Sequence, residues 1–228
     1  MPRPSKEERF DALVAAGLRV FAERGFRKAQ MADVAAAMGV SQGTLYNYVE
    51  SKEALFSLCL DRLLEPDAPM PALPVTVPSP ADLLNGLRRR LSELWALPRL
   101  EKALATRRPS DVQAELSEVI EEGYEAIGGR RLAFDAIERS AREMPEIAEV
   151  FYVDFRRKLI GRYTAYIEAR IRSKQFRPQL DPPTAARLVI ETVTYFARHR
   201  FGDLDSAMLD DDTARRTVVD MMSAALLA

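Results

Sequence analysis

Apolar residues recur along this chain with the period of a helix and almost never with that of a strand. Phe10, Leu13, Val14, Gly17, Leu18 and Phe21 stand at i, i+3, i+4, i+7, i+8 and i+11, which is one helical face. Ser5, with Glu8 three residues on, supplies a capping-box start for that helix, and Gly25 a stop. Met31, Val34, Ala35 and Met38 predict a short second helix ending at Gly39. Ser41 can cap a third running to about Val49, and Ser51 a fourth with Leu55, Leu58, Cys59 and Leu63 on one face. Proline marks the next boundary. None occurs from Ser5 to Glu65, and six fall between Pro66 and Pro80, so 66–80 is expected to be an extended connector.

Beyond the connector, Ser79-Pro80 opens a helix striped by Leu84, Leu87, Leu91, Leu94 and Trp95 and ended by Pro98. A short helix is expected over 99–106. The next, opened by Ser110 and Gln113, turns Val112, Leu116, Val119, Ile120, Tyr124 and Ile127 inward as far as Gly128-Gly129. Further helices are expected over 131–143, from Pro145 to about Ser173, from Asp181-Pro182 to about Phe201, and over 212–227. The fold class is all-α. The expected division is 1–65, a connector at 66–80, and a larger helical domain at 81–228.

Composition narrows the chemistry. A chain of 228 residues, 47% hydrophobic and 29% charged, is long enough for one or two domains with a sizeable core. Cys59 and His199 are each the only residue of their type, which excludes an intrachain disulfide, a Cys/His zinc cage and most His-rich catalytic sites. No apolar stretch approaches the roughly 18 residues of a membrane helix, and the N-terminus has no hydrophobic signal region. A soluble cytoplasmic protein is expected, with no membrane partner, metal or cofactor. The net charge of -1 shows no basic nucleic-acid protein at this level.

The segment Met31–Lys52, MADVAAAMGVSQGTLYNYVESK, changes that picture. Ala35, Gly39 and Leu45 sit where a helix-turn-helix needs a small residue at the crossing, a turn glycine and an apolar lock. From Val34 to Val49 there is no Asp, Glu, Lys or Arg, so nothing on the third helix repels phosphate. Ser41, Gln42, Gly43 and Thr44 form its first turn, where amides and the dipole suit an anion and Gly43 permits close approach. Gln42, Thr44, Tyr46 and Asn47 are side chains that can contact base edges and thymine methyls. Lys52, a cation in the first turn of the next helix, points to a phosphate partner.

The run GVSQGTLYNYVESKEALF resembles the DNA-binding signature of TetR-family transcriptional regulators, and RVFAERGF resembles the end of that family's first helix. The likeness covers about residues 9–60. Further on, AREMPEIAEVFY and the two long helices after it resemble the family in architecture. The resemblance implies a three-helix DNA-binding domain followed by a ligand-binding and dimerisation domain. It implies a homodimer on a palindromic double-stranded operator, most often repressing, released by a small-molecule effector in the C-terminal domain. Carried over by position, Gln42, Thr44, Tyr46 and Asn47 match recognition contacts, and Tyr48 and Lys52 match phosphate contacts. Four positions depart from the pattern. Ala29 and Gln30 stand where threonines are common, so the second helix lacks its usual hydroxyl cap, with Gln30 replacing part of it. Ala32 stands for a frequent arginine, and Val49 for a phenylalanine. Fewer phosphate contacts imply a shallower salt dependence.

Other features have plainer readings beside the sharper ones. Gly39-Val40-Ser41-Gln42-Gly43 also fits G-x-S-x-G, but a nucleophile elbow needs a preceding strand, so no enzyme is expected. Cys59 reads as a buried small hydrophobe, and Asp210-Asp211-Asp212 as dipole pairing at a helix start. Trp95, Tyr124, Phe151, Tyr152, Phe155, Tyr195 and His199 are ligand-contact candidates, though aromatics at helical spacing also serve as core, and His199 also reads as a surface residue. The helices at 145–173 and 182–201 are apolar on several sides and need more than one partner, from a four-helix bundle with a second copy or from burial within the monomer. The connector is a place to absorb movement, or a surface loop.

Overall fold

The computed structural model describes residues 5–64, 68–77 and 79–228. Among them there is no strand, only two single-residue bridges, and the elements are helices throughout. Among the described residues no helix is long and apolar enough to cross a membrane. The order is α1 (Lys6–Lys28), α2 (Met31–Met38), α3 (Gln42–Leu45), α4 (Lys52–Leu64), α5 (Pro80–Leu94), α6 (Pro98–Ala105), α7 (Val112–Gly128), α8 (Arg131–Ala141), α9 (Pro145–Ala148), α10 (Lys158–Arg172), α11 (Pro182–Ala197) and α12 (Asp211–Leu226). Between α9 and α10 the expected single long helix widens into a π-helical stretch, Glu149–Arg157, and a 3-10 turn, His199–Gly202, follows α11.

The chain gathers into two compact units that do not follow its linear order. One holds residues 1–93 with 132–155, the other 94–131 with 156–228. The proline run at 66–80 therefore does not separate them, because α5 and most of α8 pack with the N-terminal helices.

In the first unit α1 begins at the expected capping box. The Glu8 amide donates to Ser5 Oγ at 3.0 Å, and the Ser5 amide to the Glu8 carboxylate at 2.6 Å. Gly25 does break the helix, at φ 77°, but one more turn follows before Ala29. Gly17 lets α1 cross α4 closely, since a Cβ there would lie 2.8 Å from Cys59 Sγ. Around that crossing Phe21, Phe26 and Phe56 form a buried aromatic cluster with centroids 5.0–6.1 Å apart. Cys59 is fully buried, and burial pushes its thiol well above the ordinary range, which agrees with its reading as a core hydrophobe. Leu55 and Leu58 share that core, while the Leu63 side chain lies outside the described residues. Helix α8 is fastened to the end of α1: the Phe26 amide donates to Ser140 Oγ at 2.8 Å, and Lys28 pairs with Glu143 at 3.0 Å.

In the second unit Glu122 and Arg170 are buried polar groups with matched partners. Glu122 accepts the Arg99 and Leu100 amides at 2.8 and 3.0 Å, capping α6 from α7. Arg170, fully buried, donates twice to Glu115 and to the Thr106 and Ala103 carbonyls. Asp111, not Ser110, caps α7, accepting the Ala114 amide at 2.9 Å. Asp181 and Asp210 cap α11 and α12 in the same way. Helix α10 turns Leu159, Tyr163, Tyr166 and Ile167 into the core, and its exposed positions are Lys158, Gly161, Ala165 and Arg172. Its several apolar sides are satisfied within the unit. Exposed apolar side chains in this unit include Leu180 just before α11 and, on α11, α12 and the turn between them, Leu188, Leu204, Met208 and Met221.

Candidate nucleic-acid interface

The second helix ends as its sequence requires. Gly39 adopts φ 66°, ψ 31°, and the Val40 amide donates to Ala35 O at 3.0 Å, closing a Schellman-type turn. Ala35 is buried, leaving α3 room to cross, and Leu45 is fully buried beneath it. At the start of α2, where the sequence lacks a hydroxyl cap, the Asp33 carboxylate accepts the Gln30 amide at 3.0 Å. Arg24 pairs with that carboxylate at 2.8 Å. This acidic anchor was not foreseen, although Asp33 three residues after Gln30 is its signal.

Helix α3 spans only four residues, then tightens into turns over 46–48, so it is shorter than the expected run to Val49. Ser41 occupies its N-cap, but its hydroxyl meets Thr44 Oγ1 at 2.9 Å and no amide. Ser41, Gln42, Gly43, Tyr46 and Asn47 are exposed on one turn, with Thr44 half-buried among them. Tyr46 is 45% exposed, and its hydroxyl accepts from Gln42 Nε2 at 3.4 Å, which orders the two polar tips together. Nothing inside the protein explains Gly43. Its φ is not positive, and a Cβ there would meet only Ser41 Oγ at 3.9 Å.

Two expected phosphate contacts are placed differently. Tyr48 is 7% exposed, so its ring is core and not part of the exposed turn, because the turn after Leu45 rotates it inward. Lys52 Nζ donates to Ala29 O at 3.1 Å and Arg27 O at 3.3 Å, and sits 4.7 Å from the Phe26 ring centroid. The ammonium thus closes the end of α1, with one of its three N–H donors not used in those two bonds. The carbonyls of Arg27 and Ala29 at the end of α1 therefore account for a cation at this helix start without a phosphate.

The seven ligand-contact candidates fall in both units. Trp95 lines an interior void in the second unit with Gly123, Ile127, Leu159, Tyr163, Val189, Ile190 and Val193, of about 10 Å³. Gly123 makes room for Tyr163, whose hydroxyl would lie 3.0 Å from a Cβ there. Tyr124 is buried, donating to Phe196 O and Asp211; Tyr195 is exposed and donates to Asp203 at 2.7 Å. His199 is exposed, in keeping with its surface reading. Phe151, Tyr152 and Phe155 lie in the first unit, with Phe151 stacked on Phe155 at 5.6 Å. A larger hollow of about 440 Å³ in that unit is bounded by α4, the connector and α5, with Arg62, Arg89 and Arg90 in its wall.

Residues 13–59 match the family model of bacterial regulatory proteins, tetR family. No curated protein matches the chain. Among solved structures, the ketosteroid transcriptional regulator KstR2 of Mycobacterium tuberculosis is similar at 18% identity and TM-score 0.59, over 98% of this chain and 97% of that one. A TetR-family regulator from Chloroflexus aurantiacus is similar at 14% identity and TM-score 0.56, over 98% and 95%. The regulator FadR of Bacillus subtilis, solved with stearoyl-CoA, is similar at 14% identity and TM-score 0.51, over 95% and 98%. Residues 13–59 thus match the model of the tetR family of bacterial regulatory proteins, and the chain as a whole shares the all-α fold of solved structures described as TetR-family transcriptional regulators.

Proposed function

We propose that this chain is a cytoplasmic, ligand-responsive transcriptional repressor without enzymatic activity. It binds a palindromic operator as a homodimer and is released when a small molecule enters the helical region at 81–228. The observation that carries the reading is the exposed turn of α3. Its polar tips carry no charge, and its glycine at 43 serves no contact within the protein. A glycine that the fold does not need is explained by a partner whose backbone approaches closely. Gln42, Thr44, Tyr46 and Asn47 then read base edges, while Gln30, Ser41, the Gly43 amide and the remaining N–H of Lys52 face phosphates.

Dimerisation is supported by the apolar surface of α11 and α12, where Leu188 is 61% and Met221 58% exposed. Pairing these two helices with their symmetry mates buries both. The effector enters by enlarging the small void around Trp95 and Tyr163, whose lining is mostly apolar. Because the B. subtilis relative was solved with stearoyl-CoA, acyl thioesters are the first class to screen. The test is a mobility-shift titration of duplexes selected by the protein from a random pool. Tyr46→Ala, exposed and outside the core, is expected to weaken binding at least tenfold with unchanged melting; unchanged affinity overturns the residue assignment.

A further inference from the structure

A four-residue helix cannot by itself hold the residues that follow it, because short helices are marginal. After Leu45 the amides look backward: Asn47 donates to Thr44 O at 3.3 Å, Tyr48 and Val49 to Leu45 O at 2.8 and 3.1 Å. Two main-chain groups look outward instead, and the connector takes both. The Val75 amide donates to Tyr48 O at 2.8 Å, and the Glu50 amide to Val75 O at 3.0 Å. The result is a one-residue parallel bridge opposite Val49, itself fully buried. The connector is also tied near its other end, where Arg62 of α4 donates to Ala68 O. Only four residues separate Val75 from Pro80, the first residue of α5, whereas the ordinary path from Glu50 to α5 runs through all of α4.

We propose that the main chain of Val75 is a positioning element for the DNA-reading turn. It fixes Tyr48–Glu50 and couples them to the start of α5, so that displacement of α5 loosens the turn through the connector. The inference rests on reading residues 42–47 as the DNA-facing turn. It also explains the departure at Val49: a strand-like bridge favours a β-branched residue, and Val75 across from it is one too. The coupling runs through the backbone, so any residue with an amide serves at 75 except proline, which has none.

The test uses the full chain, comparing Val75→Pro with Val75→Ala. Amide exchange at Glu50 is followed by NMR, and affinity by titration of a duplex selected by the wild-type protein. Val75→Pro is expected to speed Glu50 exchange and weaken DNA binding by about fivefold or more each, with Val75→Ala within about twofold of wild type in both. Either quantity remaining within about twofold in Val75→Pro, or Val75→Ala matching its losses, overturns the proposal. If Val75→Pro does not fold, the wild-type chain decides: protection of the Glu50 amide by about tenfold or more supports the bridge, and unprotected exchange overturns it. A wild-type chain that selects no duplex refutes the DNA-reading assignment alone, and the exchange rates still judge the bridge.

Discussion

Two glycines four residues apart separate what the fold needs from what a partner needs. Replacing Gly43 by alanine adds one methyl whose nearest neighbour outside the adjoining residues is Ser41 Oγ, 3.9 Å away. No strain follows, and a small gain of between zero and about 1 kcal/mol is expected from helix propensity. On DNA the same methyl keeps the phosphate from the first-turn amide. Losing one charge-assisted bond costs about 1.5 kcal/mol per half-site, hence about 3 kcal/mol and a hundredfold in affinity for a symmetric dimer. Gly39→Ala should do the reverse. A Cβ at 39 meets nothing within 4 Å, so only the φ of 66° penalises it. That strain costs about 1 kcal/mol, lowering Tm by roughly 2–4 °C, with affinity per folded molecule retained. Thermal melts and anisotropy titrations on both variants decide the matter. Gly43→Ala binding like wild type would refute the reasoning, as would Gly39→Ala melting unchanged.

The other predictions concern the second unit. Glu115→Gln leaves the buried Arg170 without an opposing charge and turns one of its two carboxylate acceptors into an N–H donor, so it should cost about 3 kcal/mol, or roughly 6–12 °C in Tm. The Asp210 carboxyl is held below its usual 3.8 by hydrogen bonds from the Thr213 hydroxyl and amide. With its folded value lowered, its contribution is present above the unfolded value and lost as pH falls through the folded one. Asp210→Ala should therefore lower Tm at neutral pH and make no difference in strong acid, whereas Asp210→Asn keeps most of the cap; a pH series of melts checks both. Leu188→Glu places a charge on the exposed face of α11 and should shift sedimentation from dimer to monomer without lowering helicity. A wild-type monomer would remove the interface argument.

Local signals carried most of the fold into the sequence. Ser5 and Glu8, Gly39 and Asp181 each act within a few residues, and each stands where its chemistry requires. What the sequence did not reveal depends on distance. The bridge between Val49 and Val75 is made by main-chain atoms, which leave no mark on residue identity. The gathering of 132–155 with the N-terminal helices turns on contacts such as Ser140 with Phe26, 114 residues apart. Tyr48 resembles a surface contact by position, yet the tightening after Leu45 buries it. Lys52 suggests a phosphate partner by position, yet carbonyl oxygens 23 and 25 residues upstream accept two of its hydrogen bonds within the fold. Aromatic spacing marks a core face, and only the folded structure shows which polar tips are taken up inside it, as Tyr124 is by Asp211.

The central claim is that two copies of the α3 turn read a symmetric duplex. Selection from a random duplex pool, followed by sedimentation of the selected complex, tests it most directly. The account predicts enrichment of an inverted repeat, its half-sites one or more helical turns apart, bound by two chains per duplex and lost with Gly43→Ala. No enrichment over the starting pool, or a single chain bound to an asymmetric site, would contradict it.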